Sequence, residues 1–403
     1  MKENEGRPGE RKVQRFFDAN IGNIITFPNA KTKSNAQIAD LLVWLNWKAL
    51  LVEVKTRISS KVTLDQWVKE RVADAANQIT KSYARCVGGE QIYVNNDFYN
   101  VRFDDKGVAF YSGLIVLNYE GTSNVLPSVA VSDIYRRSIP IHAISYDDLA
   151  HLSHEIDTFP DLRYYLKDRF DYIKKYDIPL GVEKEVIGRY KLFNNRFPDN
   201  YVNFQTSKFW REYQTVMEEA IERRNAHNEH GTFIDGLEEA FRHKRKLHGS
   251  IPLGLSFAWE LGAMSRRERA IVGERIDGAK LRFERGGNRR YFSFQNPSTT
   301  NWLVFVFSNG SSEELCREVE QLTRLKLIKE AQFHDFEFAA YGFAFQVSRT
   351  HPIRLLGLRR ATVISPDAVT PYSDAELEAA ISIWGDKHVG LPIPILEFPP
   401  SEY

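Results

Sequence analysis

Near the start of the chain, two carboxylates and an amine occupy positions from which they can act on a single phosphate. Asp40 lies in the run Ile38–Leu45, and Glu53 and Lys55 lie in the run Ala49–Thr56, with Asn46-Trp47-Lys48 between them. Both runs are apolar, strand-sized and joined as a hairpin would be. With the hairpin symmetric about the Asn46–Trp47 bond, Asp40 sits opposite Glu53, their Cβ atoms about 4.5–5.5 Å apart. Like charges at that separation destabilise a strand pair unless a cation lies between them. Lys55, two residues beyond Glu53, shares its face of the strand.

Such a patch suits phosphodiester hydrolysis. Carboxylate oxygens hold Mg²⁺ while leaving coordination places for water and a phosphate oxygen. The ion polarises the phosphate and lowers the pKa of water, a role Mn²⁺ also fills. Lys55 then orients the attacking water or offsets charge in the transition state. An isolated Glu-x-Lys would be a surface pair worth about 0–1 kcal/mol. The facing Asp40 and the apolar flanks argue for more. Leu50, Val52 and Val54, with Leu41, Val43 and Leu45 on the partner strand, define an opposite, buried face and leave Asp40, Glu53 and Lys55 on the other.

The elements that must hold this patch follow from periodicity. Gly9 to Asn20 places Val13, Phe16 and Phe17 at helical spacing. Ile24–Phe27 is a short strand stopped by Pro28-Asn29, and Lys31–Gln37 is loop-like. From Leu64 to Val87 the apolar positions Val68, Val72, Ala76, Ile79 and Tyr83 form one helical face, ended by Gly88-Gly89. Leu114–Tyr119 and Ile141–Ser145 are strands, and Tyr146 opens another helix. The order helix, three strands, helix, strand, strand predicts an α/β domain.

The segments Ile38-Ala39-Asp40-Leu41-Leu42 and Leu51-Val52-Glu53-Val54-Lys55-Thr56-Arg57 resemble the core of the PD-(D/E)XK, or restriction-endonuclease-like, nuclease superfamily. Gly9-Glu10, opening the first helix before Val13 and Phe17, is similar to the start of its Mrr-like and NERD-like branches. Ala76-Asn77-Gln78-Ile79 looks like the glutamine-bearing helix of several branches, although Tyr83 comes one residue too late for the Gln-x-x-x-Tyr spacing and reads as core. Ala39 replaces the proline of the motif without touching a ligand. The resemblance implies an αβββαβ core over roughly the first 150 residues. It also implies Glu10, Asp40 and Glu53 as metal ligands, with Lys55 and Gln78 completing a catalytic set. Mg²⁺ would be the cofactor, with Mn²⁺ substituting. The implied activity is hydrolysis of DNA in preference to RNA, in prokaryotic restriction or phage defence. A fold that keeps only binding, and an RNA nuclease, stay open as alternatives, as does a homodimer or a partner protein.

Across the whole chain, 403 residues predict more than one domain: a nuclease-like domain over 1–175, a helical connector over 176–250 and a mixed α/β domain over 251–403. Lys208–Asn225 carries the clearest helical stripe of the middle region. Trp302–Phe307, Tyr341–Val347 and Leu355–Ile364 are strands of the last part, with Ser312–Leu327 a helix between the first two. Fifty-four basic residues against 53 acidic give a net charge of +1, so nucleic-acid affinity has to be local. Arg57 and Lys81 beside the patch, and Arg285, Arg289 and Arg290 in a basic and aromatic segment, are the candidate contacts. Arg242–Lys246, Arg266–Arg269 and Arg359-Arg360 are further charge runs, which usually mark solvated faces. His151, His154, Glu155 and Asp157 read as a polar helix face rather than a metal site. Two cysteines and no Cys/His cluster argue against structural zinc or a disulfide framework. Apolar runs too short for a membrane span, and a charged start without a signal's apolar stretch, predict a soluble cytoplasmic protein.

Overall fold

A computed structural model describes residues 7–22, 25–45, 48–58, 61–96, 100–103, 109–121, 130–134, 137–176, 182–200, 202–204, 206–219, 229–238, 252–285, 289–331, 338–347, 354–363 and 373–384. The chain divides into two compact units, one reaching to Asn225 and one running from Ala226 to Ile395. The stretch 176–250 is therefore no separate connector, because its described helices are shared between the two units. Leu192, Tyr213, Val216 and Met217, all in the part that belongs to the first unit, form one buried cluster.

The first unit is built on a six-stranded sheet in the order β1-β3-β4-β7-β9-β8. Its strands are β1 (Thr26–Pro28), β3 (Leu41–Leu45), β4 (Lys48–Thr56), β7 (Ala109–Asn118), β8 (Ala130–Ile134) and β9 (Arg137–Ser145). β4, β7 and β9 run parallel, whereas β1, β3 and β8 pair antiparallel at the flanks. A small second sheet joins β2 (Lys31–Thr32), β5 (Ile92–Asn95) and β6 (Asn100–Phe103).

The hairpin register is the one read from symmetry, with Leu41 opposite Val52 and Leu45 opposite Lys48. β3 starts later than Ile38, because Ile38 N–H donates to Ala30 O at 2.7 Å and Asn29 N–H donates to Asp40 O at 3.0 Å. One expectation fails. β3 is buried throughout and β4 nearly so, rather than on alternate residues. A sheet covered on both faces loses the alternation of a half-buried strand. Helix α1 (Arg7–Phe17) meets β4 through Gly9 against Thr56, while α2 (Leu64–Val87) meets it through Gln78 against Lys55. Adjacent residues of a strand point to opposite faces, so the two helices cover opposite sides of the sheet.

α1 buries Gly9, Val13 and Phe17, then loosens into a π turn over Asp18–Gly22 instead of continuing to Asn20. In α2, Thr63 caps the N-terminus by accepting from Gln66 N–H, and Trp67, Val68, Val72, Ala75, Ile79 and Tyr83 are buried; Ala75, not Ala76, belongs to the stripe. Gly113 on β7 leaves room for Ile79, whose Cγ2 would lie 2.8 Å from an added Cβ. α2 stops where Gly88 N–H returns to Ala84 O at 2.9 Å and Gly89 takes φ +88°.

α3 (Tyr146–Glu155) begins with a reciprocal capping box between Ser145 and Asp148. α4 (Phe159–Lys175) and α5 (Glu183–Leu192) are joined by a buried ion pair, Arg169 Nε and Nη2 each donating to Glu183 at 2.8 Å. Tyr165 Oη donates to the same carboxylate, and Arg169 Nη1 lies 3.1 Å from His142 Nδ1 on β9. Burial holds His142 well below its usual pKa, with Arg169 adding to the effect. α6 (Phe209–Glu219) packs Tyr213, Val216 and Met217 on Leu192.

In the second unit the sheet order is β10-β11-β12-β13, from β10 (Arg289–Gln295), β11 (Trp302–Ser308), β12 (Phe338–Gln346) and β13 (Arg354–Val363). Helix α7 (229–238) precedes α8 (Pro252–Gly262) and α9 (Arg266–Glu284). α10 (Ser312–Ala331) links the parallel pair β11 and β12, and α11 (Asp374–Trp384) packs on α10. Tyr341, Phe343 and Phe345 are core, as their alternation indicates, with Phe343 stacked on Phe305 at 4.8 Å. Phe333 and Phe336 lie outside the described residues. No described helix is long and apolar enough to cross a membrane.

Replacing Glu183 by Ala leaves Arg169 charged and buried without its carboxylate, which costs about 3–5 kcal/mol in chemical denaturation. A loss below about 1 kcal/mol, the worth of an exposed pair, would show that this buried pair does not tie the helices to the sheet.

Candidate functional site

The acidic pair sits where β3 begins and β4 ends. Asp40 precedes the first paired residue of β3, so its position opposite Glu53 follows from the pairing of Leu41 with Val52. Two donors fix its carboxylate: Val54 N–H donates to Oδ2 at 2.8 Å, and Gln37 Nε2 donates to Oδ1 at 2.9 Å. Glu53 is buried, only 6% exposed, inside an otherwise apolar strand. Lys55 Nζ stands 3.3 Å from Glu53 Oε2 and donates to Gln78 Oε1 at 2.5 Å. The structure thus brings Asp40, Glu53, Lys55 and Gln78 together from β3, β4 and α2.

Burial, then the charge of Asp40, pushes the Glu53 carboxyl from its ordinary 4.5 up to about 8, against the opposing pull of Lys55. Taking a carboxylate out of water is costly, and a second one beside it adds to the cost. A hard divalent cation relieves both effects, and two oxygen-donor side chains at a strand end are the ligands such an ion takes. The donor set fits Mg²⁺ or Mn²⁺ on this ground.

Glu10 lies half-buried in the first turn of α1, immediately after Gly9, whose Cα packs on Thr56. Among the described residues no three His, Cys, Asp or Glu side chains form a ready-made metal cluster. Arg57 Nη2 donates to Val62 O at 3.0 Å and ties down the loop that follows β4. Lys81 is exposed on α2, three residues beyond Gln78.

Other candidates disperse. Arg285 is an exposed residue just past α9, in the second unit, and Arg289 and Arg290 open β10, their side chains lying outside the described part. Arg269 is buried and Arg266 half-buried: both bond Asp235, at 2.5 and 2.6 Å, and Arg269 bonds Glu238 at 2.9 Å. Arg242–Lys246 lies outside the described residues. Glu155 accepts from Tyr213 Oη at 2.5 Å, and His151 packs on the Trp210 ring at 5.7 Å, both structural uses. No periodicity marks Gln37, which sits in a polar loop; its place three residues before Asp40 is the one usable clue.

Comparisons of this chain with protein-family models, with curated proteins and with solved structures return no match.

The raised pKa of Glu53 sets a direction for stability. A carboxyl that binds its proton more tightly folded than unfolded stabilises the fold most below pH 4.5, and that contribution fades as pH rises towards about 8. Metal-free protein is accordingly expected to lose melting temperature between these limits, and Glu53→Gln to flatten the profile. Parallel profiles for the two proteins in chelator would contradict it.

Proposed function

We propose that the first unit is a metal-dependent nuclease with a PD-(D/E)XK-type core, an endonuclease hydrolysing DNA phosphodiester bonds. The observation that carries this reading is the confrontation of Asp40 with Glu53 across β3 and β4, with Lys55 between Glu53 and Gln78. Proteins rarely bury facing carboxylates for stability alone, since the arrangement costs free energy. The succession α1, β1, β3, β4, α2, β7, with the acidic strand central, supports the reading.

Asp40 and Glu53 would hold the ion; Glu10 of α1 is a further ligand on the resemblance alone, since the three form no ready-made cluster. Bound there, Mg²⁺ would supply Lewis-acid polarisation of the phosphate and a more acidic water. Asp40 is oriented for this by Val54 N–H and Gln37, so its carboxylate needs no rearrangement. Lys55 Nζ, steered by its hydrogen bond to Gln78 Oε1, offsets charge on a non-bridging phosphate oxygen or orients the attacking water. Water attacks phosphorus, the bond from phosphorus to the leaving oxygen breaks, and the proton released by water balances the one taken up by the leaving oxygen. Arg57 and Lys81 lie close enough in sequence and on the same elements to meet flanking phosphates. A role in restriction or phage defence rests on the resemblance to Mrr-like and NERD-like proteins alone.

Purified protein with Mg²⁺ or Mn²⁺ is expected to cleave plasmid DNA, and Glu53→Ala and Lys55→Ala to lower the rate by about 10²-fold or more while still folding. Equal cleavage by all three would place the activity elsewhere. Faster cleavage of RNA than of DNA in the same assay would overturn the DNA assignment.

A further inference from the structure

We propose that the outer face of the small sheet is a platform for an unpaired DNA strand, running from the acidic pair over Lys31 and Tyr93. The inference rests on the nuclease reading above and names the form of substrate that site would take: a single-stranded stretch beside the cleaved bond.

The platform begins at Asp40. Gln37, whose Nε2 donates to Asp40 Oδ1 at 2.9 Å and to Ala39 O at 3.3 Å, is bridged antiparallel to Lys31. Lys31 is paired in turn with Tyr93 of β5, and Tyr93 with Arg102 of β6. Residues directly opposite on antiparallel strands share a face, their Cβ atoms about 4.5–5.5 Å apart. Gln37, Lys31 and Tyr93 therefore form one row that starts in contact with the acidic site, and Arg102 holds the next register position. Burial agrees. Gln37 and Lys31 are exposed and Tyr93 half-buried, whereas their neighbours Thr32, Ile92 and Val94 are buried on the reverse face. From Gln37 to Arg102 the row crosses three strand spacings, about 14 Å. That length takes about four nucleotides at the rise of a stacked strand.

Hydrogen bonds hold this row against the main sheet. The turn between Lys31 and Gln37 is closed by Thr32 N–H donating to Ala36 O at 2.8 Å, with Asn35 at φ 62°. Lys33 N–H donates to Gln91 O at 3.0 Å, just ahead of β5. Asn96 Nδ2, just past β5, donates to Thr26 O of β1 at 3.0 Å.

The row supplies the two contacts that an unpaired strand needs. Lys55 is engaged by Glu53 and Gln78, and Arg57 by Val62 O. Lys31, by contrast, pairs with no carboxylate among the described residues. An open ammonium at the rim of two acids offsets their repulsion of a polyanion and meets the phosphate next to the one cleaved. Tyr93 has neither a ring partner nor a side-chain hydrogen bond among the described residues. An aromatic ring beside a cation on a sheet face is a stacking surface for a base, and a base must leave its own stack to use it. That requirement selects an unpaired strand over an intact duplex.

Binding is read by fluorescence anisotropy on the full chain carrying Glu53→Gln, so that no DNA is cut, in Mg²⁺. The probes are a labelled single-stranded oligodeoxynucleotide and the duplex of the same sequence. The single strand is expected to bind more tightly than the duplex. Adding Tyr93→Ala is expected to weaken the single strand by about tenfold or more and to change the duplex far less. Tyr93→Phe, which keeps the ring, is expected to keep the affinity. Lys31→Ala is expected to weaken the single strand and to lower its salt slope by about 0.7, the share of one phosphate contact. Thermal melting of each variant separates a lost contact from a lost fold. Unchanged single-strand affinity in Tyr93→Ala and Lys31→Ala, a Tyr93→Phe as weak as Tyr93→Ala, or equal losses on strand and duplex would each overturn the inference. Plasmid cleavage by the wild type would leave the nuclease reading standing in all three cases. Single-strand binding that depends on Lys31 and Tyr93, in a wild type that never cleaves, would support the platform and remove the nuclease reading.

Discussion

Two carboxylates held opposite each other on neighbouring strands repel, and a strand pair carrying them persists only if its surroundings outweigh that repulsion. In this protein the surroundings are a hairpin in fixed register, a parallel strand on the far side of β4 and helices on both faces. Asp40 is held in place by one backbone and one side-chain donor. Glu53, buried among Leu51, Val52 and Val54, receives Lys55 Nζ at 3.3 Å, but burial and the charge of Asp40 outweigh that donor and push its carboxyl up to about 8. The burial of one carboxylate against another is the physical basis on which the proposed chemistry depends.

A site of this kind needs a scaffold that does not relax. Shifting β3 by one residue against β4 would carry Asp40 to the other face and dissolve the pair, so the register is a functional requirement as well as a packing one. Leu41–Leu45 and Ala49–Val52 are buried along their whole length, which leaves no wet face along which the hairpin could slip. Further out, the Arg169–Glu183 pair and the Ser145–Asp148 box fix the helices that back β9, and Gly113 admits Ile79 so that α2 lies close enough for Gln78 to reach Lys55.

Much of this was legible in the sequence, and the limits of legibility are physical. The register of β3 and β4 follows from hairpin symmetry, a local property, and α2 could be read from its stripe and its glycine stop. The depth of Glu53 could not, because alternation suggests a wet face and only the packing of α1 and α2 on opposite sides of β4 shows that both faces are covered. The same holds for Arg266 and Arg269. As a charge run they suggest a solvated surface, yet Asp235 and Glu238, distant in sequence, tie them into an ion-pair network whose Arg269 is buried. Gln37 and Thr56 matter through single contacts that no periodicity announces. The unit boundary at Asn225 also lay beyond local reading, since it depends on which core each middle helix joins.

The most direct test of the central claim is the position of a bound ion. Crystals grown with Mn²⁺ and measured at the manganese absorption edge are predicted to show an anomalous peak between the carboxylates of Asp40 and Glu53, about 2.0–2.3 Å from an oxygen of each. A peak elsewhere, or none at saturating Mn²⁺, would contradict the account, and the facing carboxylates would then have to be explained without a metal.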